Sequence, residues 1–322
     1  MSDSKSRKNP LYVGKSGKGV FDSEAPNSSI PAHLLEPNWL EYEYDTAMGV
    51  VDSIQACIKP FRRKTGNKSI HNLRVALRRW FSIWEVLVED GWQSGSYQDK
   101  LGRRLKRFYK LLGRIRDQDV NCKLAEKEKL PPEIVKSWRK RRARVRKACY
   151  KELAKFDLEK LIKRLKTYLN KRFKKLQVEF IRYQGAREET VFSHFEKFLA
   201  QNEHLTRDLS KELTIMEDIH NLRLQIKSWR YLLVEYYGVS NIDLVLAQKH
   251  LGYIVDYDRM RIVLEDSLDE NEKRSEAEEE LLRSAFEFIL SKRNNLIREL
   301  EQLKAILPYG FRPLHISQGL AN

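Results

Sequence analysis

The chain repeats itself. Ser69, Ile70, His71, Asn72, Leu73 and Arg74 stand against Asp218, Ile219, His220, Asn221, Leu222 and Arg223. The correspondence runs on through Leu77 and Ile226, Arg78 and Lys227, Trp80 and Trp229, so both copies read I-H-N-L-R-x-x-[LI]-[RK]-x-W. A second block follows each copy in the same order: Leu112, Gly113, Ile115, Asp117 and Asp119 match Leu251, Gly252, Ile254, Asp256 and Asp258 at identical spacing. Such a tandem restricts the fold to two related halves that set the same residue types in the same local structure.

That local structure is helical. From Trp39 onward apolar residues recur at three- and four-residue steps, and breakers are sparse, with 14 Gly and 9 Pro in 322 residues. Interruptions are expected at Pro60, Gly66, Gly91, Pro131 and Pro132, Gly185, Gly238 and Asn271. Residues 1–37, rich in Ser, Lys, Gly, Asn and Pro, read as an extended or disordered arm. The halves are expected at 38–183 and 184–307, with a tail at 308–322.

At about 100° per residue the repeated motif divides into two faces. With His71 at 0°, Arg74 falls at about 300° and Arg78 at about 340°, while Leu73, Leu77, Trp80 and Trp84 lie between about 180° and 240°. The second copy sets His220, Arg223 and Lys227 on one stripe and Leu222, Ile226, Trp229 and Leu233 on the other. The tryptophans therefore read as core, opposite the charge. The next helix adds Arg103, Lys106, Lys110 and Arg114 at three- and four-residue steps. Like charges so spaced repel by a few tenths of a kcal/mol per pair, a cost accepted in each half and reversed by a bound polyanion. Arginine offers forked contacts to phosphate oxygens, lysine a mobile point charge, and histidine a donor that titrates near neutrality. Asp117 and Asp256 read as arginine partners or helix-end groups rather than metal ligands.

Charge supports an anionic partner. The formal net charge is +16, which concentrates anions near the surface without naming one. Lys136–Lys147 carries eight basic residues and no acid, Lys160–Lys175 the same, whereas Glu265–Glu280 carries nine acids against Lys273 and Arg274. Solvated helix faces account for such runs as readily as a basic concavity does. Cys57, Cys122 and Cys149 form no CxxC pair, which suits a reducing compartment and argues against a disulfide scaffold or thiolate zinc site. The N-terminus shows no apolar signal region, and no run approaches the roughly 18 apolar residues of a membrane span. A cytoplasmic protein with no cofactor is expected.

The two histidine motifs, each followed by its Leu-Gly-x-x-x-Asp block, resemble the CHAD family, the conserved-histidine α-helical domain, over about residues 40–306. The resemblance implies an all-α fold of two pseudo-symmetric four-helix halves forming one unit, with basic residues lining a central pore or cleft. It implies binding of inorganic polyphosphate and, in bacteria, association with polyphosphate granules. Carried over residue by residue, the ligand-facing set is His71, Arg74, Arg78, Lys106, Lys110, His220, Arg223, Lys227 and Lys249. Arg103 and Arg114 join it from their stripe. Arg114 is matched by Tyr253 and Arg116 by Val255, so the second half is poorer in charge; Arg230, facing Phe81 of the first copy, compensates in part.

The expected function is therefore non-catalytic polyphosphate binding, with no membrane and no named protein partner. The alternative is an RNA or other nucleic-acid backbone binder, although the tryptophans best suited to base stacking lie on the buried face. A phosphate-handling enzyme or a metal-binding domain ranks below both: the stripes hold no clustered carboxylates, and no GxxxxGK[ST] or HExxH motif occurs.

Overall fold

Apolar periodicity with few breakers winds the described parts of the chain into helix. The computed structural model describes residues 39–63, 66–88, 95–182, 216–236, 242–269 and 275–310. Among them run eight helices and no strand: α1 (Trp39–Arg63), α2 (Asn67–Leu87), α3 (Gly95–Lys127), α4 (Pro132–Leu153), α5 (Leu158–Arg182), α6 (Met216–Glu235), α7 (Ile242–Asp269) and α8 (Glu276–Gly310). The protein is all-α, as its sequence predicts. Residues 38–183 hold five of these helices, one more than the four expected of that half.

Two of the predicted breaks fall at helix starts. Gly66 caps α2 with extended backbone, and Ser69 donates its hydroxyl to the Gly66 carbonyl at 2.9 Å. Pro132 opens α4, where the missing N–H would have had no helical partner anyway. Pro60 is different: it lies inside α1. Ile58 and Phe61 on either side of it are buried, and that packing holds the last turn helical despite the lost hydrogen bond. Likewise α8 runs through Pro308 to Gly310, so the expected tail begins as helix. The predicted arm at 1–37, residues 311–322, and the breaks at Gly91, Gly185, Gly238 and Asn271 lie outside the described residues.

The two copies of the histidine motif pack on one another. Ser82 and Ser228 hydroxyls are 3.4 Å apart, and Arg79 pairs with Glu235 at 2.9 Å. A higher number on α2 meets a lower number on α6, so the helices run antiparallel, as a pseudo-two-fold perpendicular to them would set them. The start of α1 pins the end of α6: buried Glu43 accepts the Tyr236 hydroxyl at 2.7 Å, and Tyr42 donates to the Tyr236 carbonyl.

Three apolar cores result. The first gathers α1, α2, α5, the early part of α3 and the end of α4. The second joins α6, the early part of α7 and Leu300 of α8. The third belongs to both halves: Cys122, Leu124, Ala125, Leu130, Ile134, Val135 and Trp138 pack with Tyr257, Met260, Leu264, Ala285 and Ile289. Helix α3 has 33 residues, about 50 Å at 1.5 Å per residue, long enough to serve the first core with one end and the third with the other.

Candidate functional site

The polar face of α2 turns toward α3 and α6. Arg74 lies over the Tyr109 ring, 4.5 Å from its centroid, and donates from Nη1 to the Tyr109 carbonyl at 3.1 Å. This approach needs a glycine: a Cβ at Gly113 would stand 2.7 Å from Arg74 Nη1. The Leu-Gly block thus exists to let a guanidinium lie against the α3 backbone. Arg78 donates from Nε and Nη2 to the Tyr109 hydroxyl, at 3.1 and 2.9 Å, and from Nη1 to the Tyr231 hydroxyl across the junction at 3.5 Å. Tyr109 therefore holds both arginines in place before any ligand arrives, which lowers the ordering cost of binding.

The second half repeats the plan with different parts. Arg223 sits 3.6 Å from the position of a Cβ on Gly252, and its Nε is buried with no hydrogen-bond partner among the described residues. Gln248 stands where Tyr109 stands in the first half; it accepts from Arg230 Nε at 2.9 Å. The Arg230 guanidinium covers the Tyr231 ring at 4.7 Å, so Arg230 and Arg78 share one aromatic platform.

Electrostatics joins the two halves into one cluster. Lys227 is pushed down to about 6, first by burial and then by Arg78, Arg223 and Arg74. His71 is held below its ordinary value by loss of water, then by Arg116, Arg78, Arg74 and Lys227. His220 is lowered by burial, then by Arg259, Arg223 and Lys227. Lys227 thus bears on the histidines of both halves. Burial likewise lowers Arg74 and Arg223.

Two carboxylates stand among these cations. Asp117 pairs with Arg259 of the other half at 3.2 Å. Asp256 is raised by burial, against the opposing pull of Arg223 and Arg259. Asp117 takes the arginine-pairing role predicted for it, whereas Asp256 feels Arg223 and Arg259 without an ion pair among the described residues; neither lies at a helix end. The second aspartate of each block pairs outward, Asp119 with Arg146 of α4 at 3.1 Å and Asp258 with Arg293 of α8 at 3.0 Å, fastening each half to its next helix.

Of the residues predicted for the site, His71, Arg74, Arg78, His220, Arg223 and Lys227 come together, with Arg230 on the shared tyrosine. Lys106, Lys110 and Lys249 are exposed and carry no ion pair among the described residues. Arg103 and Arg114 lie elsewhere, a correction to the predicted stripe. Arg103 lines a cavity between α3 and α5, and Arg114 one shared with Arg141 and Arg144 of α4. The reason is geometric: at 100° per residue they lie about 80° and 100° round α3 from Gly113, the residue that faces Arg74. Sequence reasoning left out Arg116, Arg259, Tyr109 and Tyr231. Arg116 is one helical turn from Gly113 and was findable on that ground. Arg259 is matched by Val120, so the repeat carries no signal for it.

Trp80 and Trp229 are buried, and Trp84 stacks on Trp80 at 5.2 Å between ring centroids; the tryptophans pack in the core, opposite the cations. Among the described residues no three His, Cys, Asp or Glu side chains gather as metal ligands would, and no helix is long and apolar enough to cross a membrane.

Known proteins place this arrangement. The crystal structure of the CHAD domain from the plant Ricinus communis superposes with a TM-score of 0.64 at 18% identity, covering 92% of this chain and 97% of that one. This likeness establishes the fold. No curated protein matches the chain. The CHAD domain family model matches residues 47–239, a span that holds both histidine motifs and more than half of the chain. On that match, the chain belongs to the CHAD domain family.

Proposed function

We propose that the chain is a non-catalytic binder of inorganic polyphosphate, holding the polymer along the facing polar sides of α2 and α6. One observation carries this reading. Lys227 lies among three guanidinium groups and has no ion pair of its own among the described residues. Among the described residues, Arg74, Arg78, Arg116, Arg223, Lys227 and Arg259 confront Asp117 and Asp256 alone, and Asp117 is already paired with Arg259. A polyanionic ligand would supply the missing counter-charge, and a chain of phosphates supplies it repeatedly.

Phosphate contacts release condensed counterions, so binding weakens steeply with salt. Arg74 and Arg78 contribute fixed forks, while Lys227 and the two histidines gain protons as an anion approaches. A divalent cation finds no welcome here, since the carboxylates face arginines; this favours a binding role over metal-assisted hydrolysis. By its family resemblance the protein would work in the cytoplasm, at or on polyphosphate granules.

Replacing Arg74 and Arg223 together with Ala should cut retention of long-chain polyphosphate at about 0.15 M salt by two orders of magnitude or more, as two charge-assisted contacts of about 1.5–3 kcal/mol each are lost. Near-normal retention on a filter would remove the junction as the site. Single-stranded RNA that displaces polyphosphate at lower phosphate concentration would transfer the assignment to nucleic acid.

A further inference from the structure

Away from the junction, α3 and α5 enclose a cavity of about 490 Å³, within the range of small-molecule sites. Lys100, Arg103, Arg104 and Arg107 of α3 and Arg164 of α5 line it above Leu101 and Leu161, with no carboxylate among the described residues that line it. Of the five cations only Arg107 has an ion pair among the described residues, a 3.4 Å contact with Glu152 that is exposed and therefore weak. The neighbouring helices do neutralise cations nearby: Glu159 takes Arg62 at 2.8 Å, Glu152 takes Lys155 at 2.6 Å, and Asp52 takes Lys166. Among the described residues, Lys100, Arg103, Arg104 and Arg164 at the cavity have no such partner.

The second half carries no counterpart. Ile242, Asp243 and Leu246 occupy the places of Arg103, Arg104 and Arg107, so this concentration lies outside the duplicated motif. We propose that the α3–α5 cavity is a second anion site, specific to the first half, that takes a compact group bearing several phosphates. Arg104 and Arg164 reach it from different helices and supply forked contacts from two directions. Leu101 and Leu161, both buried, form an apolar floor that keeps water from one side and strengthens the attraction.

Such a group has two sources: a free, compact, multiply phosphorylated molecule, or a run of phosphates from a long chain also held at the α2–α6 junction. The inference stands apart from the junction reading, and the test keeps them separate. Tripolyphosphate and long-chain polyphosphate are titrated calorimetrically into the full chain at about 0.15 M salt, using Arg104→Gln with Arg164→Gln for the cavity and Arg74→Gln with Arg223→Gln for the junction. The unaltered chain should take two tripolyphosphates, and each double variant one. Unchanged stoichiometry and affinity in the cavity variant, with its helical spectrum intact, overturns the second site. An unchanged junction variant beside a cavity variant reduced to no binding overturns the junction reading and leaves this one standing. If the cavity variant also weakens long-chain binding tenfold or more, the occupant is the chain itself; if only tripolyphosphate is lost, it is a free molecule. Either result supports the site.

Discussion

Lys227 is the side chain whose chemistry the fold alters most. Its value falls from the ordinary 10.5 to about 6, chiefly through burial and secondarily through Arg78, Arg223 and Arg74, with Asp256 pulling the other way. At pH 7 the folded, unoccupied chain holds this amine neutral, whereas the unfolded chain holds it charged. The unfolded state therefore binds the extra proton between about pH 6 and pH 10.5, and Lys227 costs stability increasingly as pH falls through that window, fully below about 6. Lys227→Met should raise the stability of the unoccupied protein at pH 7 by about 1–3 kcal/mol, a gain that fades toward pH 10 in denaturant titrations. Ligand binding should respond in the opposite sense. A polyanion restores the ammonium, so binding takes up a proton and affinity should fall between about pH 7 and pH 9, by at most about tenfold per unit for this one group. Lys227→Met should flatten that fall, whereas His71→Gln with His220→Gln should flatten the slope between about pH 8 and pH 6, because both imidazoles start below their ordinary value. A pH profile that Lys227→Met leaves untouched would take the ammonium out of the binding step.

The helices carry the site through close approaches that differ between the copies. In the first, α2 and α3 meet so that Arg74 occupies the space a side chain on Gly113 would fill; in the second, the equivalent space at Gly252 is open at 3.6 Å from Arg223. Alanine favours helix interiors over glycine by about 1 kcal/mol. Gly252→Ala should therefore raise stability by up to about 1 kcal/mol and leave polyphosphate affinity unchanged. Gly113→Ala should keep the fold, because the obstructed atom is the mobile end of an arginine, yet lower affinity toward that of Arg74→Gln. Equal affinities for the two glycine variants would show that the Arg74 contact does not matter to binding. This asymmetry also marks what the sequence conveys. The repeat and its 100° periodicity put His71, Arg74, Arg78, His220, Arg223 and Lys227 on one face of their helices, with the apolar stripe of both copies opposite, and the structure brings these six together. Periodicity was a poor guide on α3, where Arg103 and Arg114 keep to one stripe that lies about 80–100° round the helix from Gly113 and meets other cavities. It was silent on Tyr109, which orders two arginines from a neighbouring helix, and on Arg259, which has no counterpart in the other copy. It placed a break at Pro60 because proline weighs locally, while the burial of Ile58 and Phe61 is a tertiary matter.

On the scale of the whole molecule, the question is whether two halves behave as one body. The junction alone would bring cations together at a cost, since Arg78, Arg223 and Arg74 crowd there and, after burial, help to hold Lys227 neutral. Ser82 with Ser228 and Arg79 with Glu235 offset little of that, as polar contacts contribute about 0.5–1.5 kcal/mol each. The larger compensation lies in the third core, where the far ends of α3 and α7 and the helices that follow them bury twelve side chains shared between the halves. Met260 is fully buried there. Met260→Ala should cost about 2–5 kcal/mol, which lowers the unfolding temperature by roughly 5–15 °C for a chain of this size. Because that core belongs to both halves, circular dichroism and tryptophan fluorescence should report the same single transition before and after the substitution, the fluorescence of a variant that keeps only Trp80 reading the first half and of one that keeps only Trp229 the second. A transition that splits in two, with the first-half signal unmoved, would mean that the halves fold separately and that the junction is held by its ligand. In that case saturating polyphosphate would rejoin the transitions, contributing about 2.7 kcal/mol at a hundredfold excess over the dissociation constant.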